Sequence, residues 1–190
     1  TVTMPSGTDK VKLDLGLIEN SSATVNGQPY TENMEIELSD DVTDLAVTVS
    51  KEGDSRTYTL HVRCESATAT LSGLTVNNSN NVNSGTRVEL SPEFASGTFD
   101  YVADITDLLG NTSSRFWNVW PTLTDENSSV KVWPVENVDV SGSRGEEDGS
   151  IRGSSSVYGP RYAVYPVDTE KTMKIRIDVT SENGEVTQSY

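Results

Sequence analysis

Apolar and polar residues alternate in short runs along almost the whole chain, and this two-residue period predicts β-strands. Turn-forming residues bound the runs, notably Asn26-Gly27 and the Glu-Gly pair within residues 51–54. No stretch has the longer period of an amphipathic helix. The pattern therefore predicts an all-β protein whose strands each turn one apolar face to a core. The clearest predicted strands are residues 11–15, 34–38, 45–49, 58–62, 116–120, 130–133, 173–179 and 186–190.

The two halves of the chain carry related patterns, which indicates an internal repeat. Three segments of the second half align with three segments of the first in the same order. These pairs are 101–105 with 1–4, 127–134 with 21–27, and the hairpin 179–190 with 49–58.

The alignment predicts two domains in tandem, residues 1–66 and 70–190. The first lacks an opening strand, which residues 71–100 supply in the second. The second lacks the end of its closing strand, which residues 59–63 supply in the first. We expect a chain cut from a continuous array, in which flanking sequence or a neighbouring molecule completes each sheet.

An insertion at about 139–156 interrupts the second domain. Glycine, serine and charged residues dominate it. Such a composition is typical of a flexible loop or a functional one.

The composition is polar and strongly acidic. Hydrophobic residues make up 34 % of the chain and the formal net charge is −15. Nucleic acid is excluded as a partner because phosphate binding needs a basic surface, and no apolar run is long enough to insert into a membrane. The acidity indicates either a soluble, self-repelling surface or calcium binding.

Catalytic chemistry has few candidate residues in this chain. The single histidine, His61, lies in a strand that should point it away from Leu60 and Val62, towards solvent. The single cysteine, Cys64, allows neither an intrachain disulfide nor a cysteine zinc site. It is either a buried small residue or a partner for a cysteine outside this chain. We expect no enzymatic activity and no required cofactor.

Calcium is the one metal that the acidic residues suggest. Glu146, Glu147 and Asp148 are the best placed, because Gly145 and Gly149 would let the loop curve around an ion. The alternative is a solvated acidic loop tip. Two further clusters are Asp40-Asp41 with Asp44, and Asp104 with Asp107.

Aromatic residues concentrate in the second domain. Trp117, Trp120 and Trp133 lie on adjacent predicted strands, and both faces of 116–120 are partly apolar. The face that would meet solvent is covered by the same chain, packs on a neighbour, or binds a ligand. Tyr162, with Tyr158 and Tyr165, extends this concentration as an edge or loop surface.

Four Asn-x-Ser/Thr sequons occur. In a secreted eukaryotic protein they would carry glycans on surface loops, and in a chain this rich in Ser and Asn several arise by chance. They begin at Asn20, Asn77, Asn111 and Asn127.

Three motifs together resemble the cadherin-like β-sandwich family. They are Leu-Ser-Gly-Leu-Thr-Val at 71–76, Leu-Ser-Pro-Glu-Phe at 90–94 followed by Tyr101, and the closing hairpin with Arg-Thr-Tyr-Thr-Leu-His-Val at 56–62. The resemblance implies two tandem immunoglobulin-like β-sandwiches. It also implies that Leu71, Leu74 and Val76 point inward and that Phe94 and Tyr101 plug the sandwich end. The calcium motifs of true cadherins, Asp-x-Asn-Asp-Asn and Leu-Asp-Arg-Glu, do not occur.

Members of such families are mostly spacers, so the resemblance implies a structural or adhesive module at the cell surface or outside the cell. It would act in a filament or stalk, with neighbouring domains or identical subunits as partners. The alternative is a carbohydrate-binding module that uses exposed tryptophans to stack on glycans.

Overall fold

The computed structural model describes residues 1–39, 42–105 and 116–190. Across those ranges the regular elements are β-strands, apart from a 3-10 turn at Gly142–Arg144. The prediction of an all-β protein is confirmed. None of the described helical segments is long and apolar enough to cross a membrane. Contacts divide the chain into two compact units, Thr1–Ser66 and Ala67–Tyr190.

The first unit contains two sheets. One has five strands in the order β1-β7-β6-β3-β4, with β1 parallel to β7 and the other pairs antiparallel; the second pairs β2 with β5. Val25, Leu45, Val47 and Val62 form the centre of the core, and apolar residues of both sheets pack against them. The strands are β1 (Val2–Met4), β2 (Lys10–Leu13), β3 (Ser21–Val25), β4 (Gln28–Pro29), β5 (Met34–Glu37), β6 (Val42–Lys51) and β7 (Asp54–Cys64).

Both predicted turns of the first unit are confirmed. Asn26 and Gly27 connect β3 to β4 with φ angles of 50° and 80°. Glu52 and Gly53 connect β6 to β7 with φ angles of 53° and 93°. Two successive residues with positive φ form the tight turn whose twist matches a β-hairpin.

The second unit is larger. Its sheets run β14-β15-β12-β8-β9 and β13-β16-β17, and a short pair joins β10 to β11. The strands are β8 (Leu71–Asn77), β9 (Arg87–Val88), β10 (Leu90–Ser91), β11 (Val102–Ala103), β12 (Trp117–Leu123), β13 (Ser129–Glu136), β14 (Gly153–Ser156), β15 (Gly159–Val164), β16 (Lys174–Thr180) and β17 (Thr187–Ser189).

The core of the second unit takes side chains from both of its larger sheets. Leu71 and Val119 come from the five-stranded sheet, and Val132, Ile177 and Val179 come from the three-stranded one. Leu74 and Val76 belong to the same cluster, as expected. Phe94 and Tyr101 pack against it, with ring centroids 5.7 Å apart.

One group of three strands occurs in both units with the same order and register. In the first unit β6 lies between β3 and β7, and Ala23 and Val25 face Val49 and Val47. In the second unit β16 lies between β13 and β17. There Val130 and Val132 face Val179 and Ile177. Each unit has one of these positions among its most buried residues: Val25 is 1 % exposed in the first unit, and Val132 is 0 % exposed in the second.

The insertion at 139–156 is a packed part of the second unit, so of its two alternatives, a flexible loop or a functional one, the first is wrong. Ile151 is buried, and its N–H donates to the carbonyl of Val132 at 2.7 Å. A β-bridge joins Gly145 to Ile151, and the segment then continues into β14. One buried apolar side chain and a paired strand therefore anchor this polar segment to the second unit.

Candidate functional site

Strand β12 is buried on both faces, and this decides the role of two of the predicted site residues. Trp117 is 3 % exposed and Trp120 is 2 % exposed. β12 is a central strand, paired with β8 on one edge and with β15 on the other. Of the three alternatives for the aromatic face, coverage by the same chain is correct. Neither ring can stack on a sugar or contact a neighbour, because each is already enclosed.

The face of β12 that carries Trp120 is covered by a cluster of polar side chains. The cluster is centred on Asn77, which is fully buried. Its Nδ2 donates to the carbonyl oxygens of Asn81 at 2.9 Å and Ser84 at 3.0 Å. Its Oδ1 accepts a 2.9 Å hydrogen bond from Trp120 Nε1. Beside it, Asn118 Nδ2 donates to the carbonyl of Ser79 at 2.7 Å. We call these side chains and the loop 78–86 the asparagine cluster.

The loop of the asparagine cluster is tightly folded. Gly85 has φ +75°, and a Cβ at this position would lie 2.6 Å from the Cβ of Ser79. Asn78 Oδ1 accepts from the N–H of Thr86 at 2.7 Å. Sequence reasoning missed this cluster, although the run of Asn and Ser from 77 to 84 was a signal for side-chain-to-backbone bonding.

The sequon at Asn77 is not a glycan site, which corrects that expectation. The Nδ2 atom that would carry the sugar is buried and donates to backbone carbonyls. Asn20 and Asn127 are exposed and remain candidates. Asn111 lies outside the described residues.

Tyr162 is a core residue and not part of a surface. It is 7 % exposed, and its hydroxyl donates to the carbonyl of Val130 at 2.8 Å. Burial raises the pKa of its phenol. A Cβ at Gly153 would lie 2.9 Å from the Tyr162 ring, so the glycine allows β14 to pass close over it.

Trp133 is the one tryptophan that keeps part of its ring accessible. It is half-buried on β13. The Nζ of Lys131 lies 5.8 Å from the ring centroid, and the guanidinium of Arg176 lies 5.6 Å from it. Both distances fall within the range of cation–π contacts.

A groove of about 560 Å³, lined by both polar and apolar side chains, opens beside β13, between Lys131, Arg152 and the acidic tip at 146–148. Asp148 Oδ2 accepts from Lys131 Nζ at 2.5 Å, and its Oδ1 accepts from the hydroxyl of Ser150 at 2.6 Å. The Lys131 bond, followed by those from Ser150, holds the pKa of Asp148 well below its usual range. Glu146 pairs with Arg152 at 3.2 Å.

The calcium expectation at Glu146, Glu147 and Asp148 is corrected by this geometry. Two of the three carboxylates are directed at cationic side chains and do not converge on a common point. Across the described ranges, no group of three or more His, Cys, Asp or Glu side chains is placed to hold a metal ion. Of the other acidic clusters, Asp40, Asp41 and Asp107 lie outside the described residues.

His61 and Cys64 both have structural contacts in the first unit. His61 is exposed, as predicted, and its Nδ1 lies 2.6 Å from Asp44 Oδ1 across the β6–β7 ladder. Cys64 is half-buried, and its Sγ donates to the carbonyl of Thr8 at 3.2 Å.

No protein-family model matches the chain, and no curated protein matches it in sequence. A proposal about function therefore rests on the topology and on the contacts described above.

Proposed function

We propose that the chain is a pair of tandem immunoglobulin-like β-sandwich modules, related to the cadherin-like family, with a structural or adhesive role at the cell surface or outside the cell. The observation that carries this proposal is the repeated group of three strands. Val25 facing Val47 and Val132 facing Ile177 occupy the same place in the two units. A repeated unit with its own core in each copy suits a protein that sets distances along an array.

The use of polar and aromatic side chains supports the same function. Hydrogen bonds within the second unit engage the asparagine cluster, Trp120 and Tyr162. Those of the asparagine cluster fix its loop to the strands. Side chains held in this way favour a rigid body over a ligand site. The net charge of −15 would keep neighbouring copies apart except where specific edges meet.

Direct imaging of the native protein by cryo-electron microscopy tests this function. We expect ordered filaments, stalks or lattices in which both units recur at a fixed spacing. Dispersed particles at every concentration, without contact between units of neighbouring molecules, would contradict the structural proposal.

Carbohydrate binding is the second candidate, and it depends on Trp133 alone. Its half-buried ring, flanked by Lys131 and Arg176, is the described tryptophan surface that a sugar could reach. Glycan-array binding that Trp133→Ala abolishes would support this candidate. Tyr58→Ala is the matched control, because Tyr58 is 56 % exposed in the first unit and should leave binding unchanged.

A further inference from the structure

The outer face of the sheet β13-β16-β17 carries a compact group of polar side chains around Trp133. Core residues of β13 and β16 alternate with side chains that point away from the core. Among the latter, Lys131 and Trp133 on β13 lie directly opposite Asp178 and Arg176 on β16. These four side chains therefore share one face of the sheet, on the side away from the core.

The ring of Trp133 is not capped by the two cations beside it. Elsewhere in the second unit, Arg144 lies 4.1 Å from the centroid of the Tyr165 ring, close to the contact distance of carbon atoms, about 3.5–4.0 Å. Lys131 Nζ and the guanidinium of Arg176 lie 5.8 and 5.6 Å from the Trp133 centroid. At those distances each cation is displaced from the ring centre. Because Nε1 of Trp133 is enclosed, the accessible part of this side chain is carbon.

A cation–carboxylate pair lies on each side of Trp133. Lys131 Nζ donates to Asp148 Oδ2 at 2.5 Å. Arg176 donates to both carboxylate oxygens of Asp178, from Nε to Oδ1 and from Nη2 to Oδ2, each at 3.0 Å. Since each pair is electrically neutral, the cations beside the ring have no net charge with which to attract an ion.

These pairs retain free hydrogen-bonding groups. The Lys131 ammonium has three N–H donors, and one of them is used by Asp148. Asp148 Oδ1 accepts from the N–H and the hydroxyl of Ser150, whereas Oδ2 accepts only from Lys131 among the described residues. Nη1 of Arg176 forms no hydrogen bond within the same part of the chain. A donor and an acceptor are thus free on one side of the ring, and a donor is free on the other.

A sugar ring matches this arrangement. Its C–H groups form an apolar face that packs on an aromatic surface, while each of its hydroxyls both donates and accepts. One hydroxyl would accept from Lys131 Nζ while its neighbour donates to Asp148 Oδ2. An anionic sugar would gain nothing from the neutralised cations and would be repelled by the net charge of −15. A cationic sugar would meet Lys131 and Arg176.

We propose that the outer face of β13 and β16 binds a neutral pyranoside, stacked on Trp133, with adjacent hydroxyls bonded to Lys131 and Asp148 and a further hydroxyl bonded to Arg176. The proposal rests on the carbohydrate-binding candidate above. It adds to that candidate the class of sugar and the side chains that recognise it.

NMR titration of the full chain tests the class of sugar. The indole N–H signal of Trp133, assigned with Trp133→Phe, is followed against three neutral probes: methyl β-D-glucopyranoside, methyl β-D-galactopyranoside and methyl α-D-mannopyranoside. We expect a saturable shift with at least one of them, with a Kd of about 1–10 mM for one ring in an open site. Glucuronate and glucosamine should bind at least fivefold more weakly. Absence of a saturable shift with all three neutral probes, or tighter binding of a charged one, would overturn the proposal.

A matched pair of lysine variants tests the polar contacts. Lys131→Met should weaken binding of the neutral probe at least fivefold, because it removes the donor beside the ring. Lys171→Met is the control: Lys171 is also an exposed lysine paired with an aspartate, Asp168 at 3.1 Å, and its loss should leave the Kd unchanged. Equal affinities for Lys131→Met and the wild type would refute the assigned contacts.

The outcomes separate this inference from the proposals on which it builds. Glycan-array binding that needs Trp133 but survives Lys131→Met, or that favours acidic glycans, would reject this inference and keep the carbohydrate-binding candidate. Glycan binding that Trp133→Ala leaves intact would reject both. Broadening of the Trp133 signal with rising protein concentration, before any sugar is added, would show that a second copy covers the face and would overturn the inference. Imaging of filaments decides the structural role independently of these results.

Discussion

Asn77→Ala should destabilise the second unit strongly, although asparagine is a polar residue that is usually exposed to solvent. The substitution removes the Nδ2 donor that holds the loop carbonyls of Asn81 and Ser84. It also removes the acceptor of Trp120 Nε1, whose bond to Asn77 is fully buried. Alanine leaves a space that neither partner can fill without moving the loop.

The expected loss follows from the number of groups left unsatisfied. A buried donor without a partner costs about 1–3 kcal/mol, and this applies in full to Trp120 Nε1. The two loop carbonyls are partly accessible to water, so each adds about 1 kcal/mol or less. The sum is roughly 1–5 kcal/mol, which at its upper end is a large share of the 5–15 kcal/mol that stabilises a typical domain.

Urea denaturation followed by tryptophan fluorescence measures this loss, because Trp120 reports on the cluster itself. Asn127→Ala is the matched control: it removes an exposed asparagine from another sequon, where about 0.5 kcal/mol or less is expected. Asn77→Asp keeps an acceptor for Trp120 but turns a carboxyl towards the loop carbonyls. That carboxyl should have a folded-state pKa above its unfolded value, so this variant loses stability relative to the wild type as pH rises from 4 to 7. A loss below 1 kcal/mol for Asn77→Ala would refute the reasoning.

Three further predictions concern other contacts of the second unit. Gly153→Ala should cost about 1–3 kcal/mol because the new methyl group would press on the Tyr162 ring, whereas Gly97→Ala, with open space around it, should cost about 1 kcal/mol or less in the same thermal melt. Lys131→Met should raise the pKa of Asp148 towards its ordinary value, so that its protonation, followed by carboxyl NMR, begins at a higher pH than in the wild type. Lys174→Met, on the neighbouring strand, is the control and should leave that titration unchanged. An unshifted Asp148 pKa in Lys131→Met would contradict the conclusion that Lys131 lowers it. Expressed in a eukaryotic secretory pathway, the protein should carry glycans at Asn20 or Asn127 and none at Asn77, and a glycopeptide containing Asn77 in the folded protein would show that the cluster opens.

The strands were predictable because their alternation is a local property. Residues 34–38, 45–49 and 173–179 each put apolar side chains on one face, and each coincides with a strand in the structure, although β6 extends beyond 45–49 to Val42 and Lys51. The turns at Asn26-Gly27 and Glu52-Gly53 were predictable for a related reason: positive φ is accessible at low cost to Asn26, Gly27 and Gly53, and only Glu52 adopts it without that advantage.

The burial of Trp117 and Trp120 was not predictable, because it depends on which segments cover the two faces of β12. Alternation along 116–120 showed that both faces of β12 are partly apolar, but it could not show which segment packs over the second face. The predicted strand covered residues 116–120, yet β12 continues to Leu123, with Pro121 opposite Leu74. Burial of Trp120 follows from the asparagine cluster, which packs over its face of β12.

The metal expectation failed for a similar reason. Glu146, Glu147 and Asp148 are adjacent in sequence and flanked by glycines, which is compatible with a curved loop. Their directions are set by Lys131 on β13 and by Arg152, which the fold brings to the loop. Acidic residues that are adjacent in the sequence do not determine which cationic side chains the fold places opposite them.

The sequence by itself determined the all-β class, the positions of most strands, the tight turns and the repeat that relates the two units. These follow from periods of two residues and from the φ preferences of Asn and Gly, which act over a few residues. The tertiary structure decided that Trp117, Trp120 and Tyr162 are core residues and that Asn77 holds a loop instead of a glycan. Those outcomes depend on partners far away in the chain, because burial and hydrogen bonding are properties of the space around a side chain and not of its neighbours in sequence.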